Sequence, residues 1–146
     1  MTAKEWLSRG WKANGEIDRL EEIKHKTWER CTRATQMFKE RVHSANFKND
    51  PMAEYAALSE EVDCQTDKLI EIKKETLKAI LQLDSSLYRQ VLIARYINFD
   101  TWEAIAVKMN YSRKNILRIH GRALQAIMPI IKDYEGENKC EFTKSS

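Results

Sequence analysis

The chain has 146 residues, with 25 Lys and Arg against 22 Asp and Glu for a net charge of +3, and only four Gly and two Pro. It is 32% charged, and no stretch approaches the ~20 apolar residues that cross a bilayer, which argues against a membrane-spanning helix. Nor is any run of alternating apolar residues long enough to argue for a sheet, so the expectation is an all-α protein: a long antiparallel helical hairpin followed by a small helix-turn-helix bundle.

The start, Met-Thr-Ala-Lys-Glu-Trp, lacks a signal-peptide core, and the expected location is cytoplasmic. Cys31, Cys64 and Cys140 have no zinc-ligand spacing and no neighbouring His that would make a nucleophile. Reduced thiols follow, with Cys31 and Cys64 expected as small core residues. His25, His43 and His120 are equally scattered. There is no Gly-rich phosphate loop and no convergent carboxylate pair. A binding protein without metal, cofactor or catalytic residues is therefore expected.

From Thr2 to Ser44 apolar residues recur at helical spacing: Ile17, Leu20, Ile23, Thr27 or Trp28, Cys31, Ala34, Phe38 and Val42. This approaches a heptad seam, with charged residues between its members. Gly10 and Gly15 weaken the first turns, and Trp6 and Trp11 would anchor them. Asn46 to Pro51 breaks the pattern, since Asp50 precedes a proline that suits a first helical turn. A second amphipathic helix is predicted over Met52–Leu83, with its seam at Tyr55, Leu58, Val62, Gln65 or Thr66, Leu69, Ile72, Thr76 and Ile80. Two stripes joined by a short loop fold back on one another, placing Cys31 roughly opposite Cys64. A two-helix arm buries little, and a homodimer through it, or another protein docked on it, is expected.

Leu83 to Ser86 offers caps for a scaffold helix over Ser86–Ile97, with Leu87, Val91, Leu92 and Tyr96 inward and Arg89 and Arg95 outside. From Thr101 to Ala126 the spacing is that of a helix-turn-helix. Ala106 is small where two helices cross, Asn110 stands where the turn needs a positive φ, and Ile116 and Ile119 turn back to the core. Ile105, Met109 and Tyr111 would complete a miniature core. Asp100 and Glu103 are placed for a capping box, and Ser112 for capping the second helix.

Charge points the same way. Between Glu103 and Asp133 there is no acid, but there are Lys108, Arg113, Lys114, Arg118, Arg122 and Lys132, so the rest of the chain is net negative. One basic face is thus offered to a polyanion, with double-stranded DNA as the expected partner. Arg113, Lys114 and Asn115 would face base edges. Arg118 would meet bases or nearby backbone, and Arg122, Lys108 and Thr101 would meet phosphates. Met128-Pro129 should end or kink this helix, and a disordered tail is expected over residues 135–146. The expected division is residues 1–83 as the arm, 84–134 as the DNA-binding domain and 135–146 as the tail.

The stretch from Arg89 to Leu124 resembles region 4 of the bacterial sigma-70 family. The features are the apolar helix ending near Tyr96, the run Trp102-Glu103-Ala104-Ile105-Ala106, Ser112 before the recognition helix, and Arg122-Ala123-Leu124 near its end. With the helical arm, the layout resembles phage and prophage transcriptional regulators of Gram-positive bacteria, among them late-gene and integrase activators. The resemblance implies regulation of transcription together with bacterial RNA polymerase. Asn110 stands where Gly is more usual, Lys114 where an acid is often found, and Gly121 lies inside the recognition helix, so base preference does not carry over. Nothing from Met1 to Leu83 resembles the sigma region that melts promoters. The rival expectation is a protein-binding adaptor or a packaging component of the small-terminase type, using the arm for assembly.

Overall fold

A computed structural model describes residues 1–38 and 50–144, and their side chains over residues 1–33 and 50–137. Among the described residues the protein is all-α, with helices α1 (Ala3–Leu7), α2 (Arg9–Phe38), α3 (Pro51–Leu81), α4 (Ser86–Tyr96), α5 (Trp102–Met109) and α6 (Arg113–Lys144). None of these is long and apolar enough to cross a membrane. They form two compact units: Lys12–Ile70, and Met1–Trp11 together with the chain from Glu71 onward.

The single helix expected from Thr2 is interrupted at Ser8. Thr2 and Glu5 form a reciprocal capping box at the start of α1. At its end the Ser8 hydroxyl donates to the Lys4 carbonyl at 2.6 Å, and the Arg9 Nε–H donates to the Trp6 carbonyl at 2.9 Å. Side chains that satisfy carbonyls locally compete with helix continuation. The short helix so separated carries Trp6 and Leu7 into the core formed by Ile80, Leu92, Ile127 and Ile131. The first residues therefore fold with the helix-turn-helix, not with the arm.

Within the unit Lys12–Ile70, α2 and α3 are antiparallel. Trp28 packs against Tyr55 in a tilted pair with ring centroids 5.1 Å apart, and Arg30 pairs with Glu54 at 3.0 Å. This register sets Cys31 across from the start of α3, so it does not oppose Cys64 as expected. Cys31 is buried, whereas Cys64 is exposed, two residues off the seam position Val62. On α2 the inward residues are Ile17, Leu20, Lys24, Thr27 and Cys31. Ile23, placed inward by sequence, is 47% exposed, and Trp28 also faces out. The reason is spacing: steps of three and four residues keep a heptad seam on one line, and Ile23 breaks the alternation that Lys24 maintains. Lys24 keeps its ammonium 5.5 Å from the Tyr55 ring centre, an amphipathic side chain lying along apolar surface. The α3 seam follows the expected positions, with Val62 and Leu69 buried. Pro51 is the first residue of α3, and the Asp50 carboxylate accepts from the Met52 N–H at 3.0 Å. The rest of the expected break, Asn46–Asn49, and the side chains of Ala34, Phe38, Val42, His43 and Cys140 lie outside the described residues.

In the second unit, Ser85 caps α4, and the Arg89 guanidinium donates to the carbonyls of Leu83 and Asp84 that close α3. Arg95, expected outside, is half-buried. Its guanidinium lies 4.8 Å from the Trp11 ring centre and 4.4 Å from that of Trp102, and it donates to the Asp100 carbonyl at 3.0 Å. Phe99 has a left-handed backbone, φ 59°, and packs edge-on against Trp11 at 5.5 Å. Gly10 lies beside this pair, and a Cβ there would make an ordinary contact 3.6 Å from the Phe99 ring.

The last helix neither stops at Pro129 nor gives way to a disordered tail at Glu135. α6 runs through Lys144 with Pro129 inside it and exposed. Proline removes one backbone donor, but Ile131 and Tyr134 continue the apolar stripe of Ile127 beyond it. Ile127 and Ile131 are fully buried, and Tyr134 meets Trp6 at 6.0 Å and accepts from Gln82 at 3.1 Å. Burying each large apolar side chain is worth about 1.5–3 kcal/mol, comparable to the cost of the proline.

Candidate nucleic-acid interface

Helix α5 begins at Thr101, whose hydroxyl accepts the Ala104 N–H at 3.2 Å. The capping box expected from Asp100 and Glu103 does not form, because Thr101 takes the cap one residue later. Asp100 instead pairs with Lys108 at 3.1 Å, and Glu103 reaches Arg113 at 3.3 Å. Both acids at the edge of the basic stretch are thus used to hold cations of the motif.

The turn is built as its residues require. Asn110 adopts φ 57° and ψ 40°, its N–H bonds to the Val107 carbonyl at 3.3 Å, and the Tyr111 N–H reaches back to the Ala106 carbonyl at 3.1 Å. This is a Schellman closure, which satisfies two terminal carbonyls and needs a residue that tolerates the left-handed region. Ser112 then caps α6, accepting from the Asn115 N–H at 3.2 Å. Ile105, Ala106, Ile116 and Ile119 are buried together, with Met109 partly buried beside them. Tyr111, expected in this small core, is exposed. It follows the turn residue directly, and Ser112 after it already starts the next helix.

Behind α6 sits His120. Its Nε2 lies 2.6 Å from the Tyr96 hydroxyl, and its ring meets Trp102 edge-on at 4.6 Å, so one side chain joins α4, α5 and α6. Burial, helped by the nearby Lys4 and Arg95 charges, pushes its pKa down to about 4. Burial likewise pushes the Tyr96 phenol up to about 12, against the opposing effect of Arg95. A neutral ring that accepts the Tyr96 proton at Nε2 carries its own proton on Nδ1.

With Ile116, His120, Ala123 and Ile127 turned inward, the outer face of α6 follows from about 100° per residue. Arg118 and Gln125 point most directly away from the core, with Lys114 next and Gly121 and Arg122 each about 50° to one side of that direction. Arg113 and Leu117 lie on one flank, and Asn115 and Arg122 on the other. The expected trio Arg113, Lys114 and Asn115 therefore does not share one line; Lys114 and Arg118 do, and Asn115 shares its flank with Arg122. Lys114, Arg118 and Arg122 have no ion-pair partner among the described residues, whereas Arg113 and Lys108 each have one. The first turn of α6 holds no acid, and two cations at the positive end of a helix dipole are mutually unfavourable until an anion approaches. Thr101 and Ser112 are exposed, each with its side-chain oxygen engaged as a cap.

Leu117 was not among the expected contact residues, although the sequence carried the signal. It falls outside the stripe of Ile116, Ile119, His120 and Ala123, and it is 41% exposed between the cations. Val107 on α5 is likewise outward, at 76% exposure.

No curated protein and no solved structure matches the chain. Residues 33–128, well over half of its length, match the model of a family described as "Protein of unknown function (DUF1492)". That match takes in the arm from Arg33, the scaffold helix, the whole turn and α6 as far as Met128, and the chain belongs to this family.

Proposed function

We propose that the protein is a sequence-specific DNA-binding regulator of transcription that lays the first turns of α6 in the major groove. The observation that carries this reading is the joint presence of a closed helix–turn–helix and, on the exposed side of α6, Lys114, Arg118 and Arg122 without an ion-pair partner among the described residues. Arg and Lys suit guanine and Asn suits adenine, and each good bidentate pair is worth about 1–3 kcal/mol of discrimination. The resemblance of Arg89–Leu124 to sigma region 4 favours a sigma-like regulator of phage or prophage type, working in the cytoplasm with bacterial RNA polymerase. The arm then serves as an interaction element, with a homodimer as its simplest use. In this reading the protein binds and does not catalyse.

The test is selection of short duplexes by the purified protein beside the Arg113→Ala/Lys114→Ala variant, at several salt concentrations. An enriched motif lost in the variant is expected. The slope of log affinity against log salt should be near −3.6 if about four phosphates are neutralised. A folded wild-type protein that enriches nothing, with a slope near zero, would overturn the reading.

A second reading, a protein-binding adaptor or packaging component, is favoured by the outward apolar side chains Ile23, Trp28 and Ile70 of the arm and Val107 of α5. Charge reversal at Arg113 and Lys114 separates the two. The regulator loses DNA binding with its fold intact, whereas the adaptor keeps its function.

A further inference from the structure

Leu117 and Gly121 are one turn apart on the same side of α6, and both are exposed. Leu117 is 41% exposed, with Lys114 one turn before it and Arg118 next to it. Gly121 sits in a helix interior, where glycine is less favourable than alanine, yet a Cβ built there meets nothing within 4 Å. The fold itself would thus accept a Cβ at Gly121. Among the groups lining a major groove, the C5-methyl of thymine is the apolar one.

We infer that Leu117 is a specificity residue that seats on a thymine methyl, flanked by cations that reach adjoining guanines, with the bare backbone at Gly121 letting the nucleic acid come close. The inference rests on the DNA-binding reading and deepens it. Lys114 and Arg118 supply charge complementarity to the groove, and Leu117 supplies a discrimination that charge alone cannot, because uracil and thymine differ only in the methyl group.

The experiment uses the full chain and the duplex it selects. Each thymine is replaced in turn by deoxyuridine, which removes the methyl and keeps the base pair. One position should weaken wild-type binding about fourfold, the effect of one buried methyl-sized group. The same replacement should have no effect on Leu117→Ala, which isolates the pairwise contact. Gly121→Ala should raise the melting temperature and weaken DNA binding, a combination that a merely structural glycine would not give. A bound duplex insensitive to every deoxyuridine, or equally sensitive in Leu117→Ala, overturns the inference and leaves the DNA-binding reading standing. A folded protein that selects no duplex overturns both.

Discussion

Glu103 spans from the first turn of α5 to Arg113, the first residue of α6, at 3.3 Å with both side chains largely exposed. Exposed pairs of this kind contribute little to stability, at most about 1 kcal/mol. Their larger effect here is on charge: a carboxylate occupies the cation that opens α6 and adds repulsion toward any approaching anion. In the proposed DNA-binding reading, Glu103→Gln should therefore leave the unfolding midpoint nearly unchanged and tighten DNA binding about threefold at low salt, with the gain shrinking as salt rises. Equal affinity of variant and wild type across the salt series, by fluorescence anisotropy, would count against a role for Arg113 at the interface. At this scale the sequence was partly legible. The absence of acids after Glu103 could be read directly, but Asp100 and Thr101 are both good caps, and which one closes the helix depends on a one-residue difference in where the chain turns. The pairing of Asp100 with Lys108 follows from that difference.

The turn between α5 and α6 is the element whose sequence and structure agree most closely, and the agreement has a local cause. Asn110 at φ 57° and the backward bond from Tyr111 to Ala106 involve residues within five positions of one another. Asn110→Gly should keep or slightly raise stability. Asn110→Ala should lower it by about 1 kcal/mol, because a Cβ without a local hydrogen-bonding group is disfavoured in the left-handed region. Thermal melts and DNA titrations on both variants test this, and an Ala variant as stable as wild type would show that the closure contributes nothing. Elements decided by distant partners were less legible. The interruption at Ser8 is small, and its value lies in turning Trp6 and Leu7 onto Ile127 and Ile131, residues far along the chain. Pro129 looks like a stop in isolation, but the stripe on either side of it has something to pack against. In the arm, Ile23 is more apolar than Lys24, and composition favoured it. Heptad spacing, which Lys24 keeps, decided the seam.

For the whole molecule, the joint held by His120 and Tyr96 sets a pH range for folding. His120 has a folded pKa of about 4 against 6.5 when unfolded. Between these values the unfolded chain takes up a proton that the folded one refuses, so stability is full above pH 6.5 and falls as pH drops toward 4. The loss levels off at roughly 3 kcal/mol from this group. Tyr96, raised to about 12 from 10.0, acts in the opposite direction: stability falls as pH climbs from 10 to 12. Urea midpoints of wild type and His120→Leu at pH 7 and 4.5 test the acid limb; an equal fall in both would assign it to other groups. The division of the chain into units has a further consequence for synthesis. Lys12–Ile70 is one uninterrupted stretch, and its hairpin has all its partners as soon as it leaves the ribosome. Trp6 and Leu7, by contrast, are made more than a hundred residues before their partners Ile127 and Ile131. α1 can meet Ile80 and Leu92 earlier, but its packing is complete only once α6 is made. Closing so long a loop is entropically costly, and α6 gains its last support only after translation has passed Pro129.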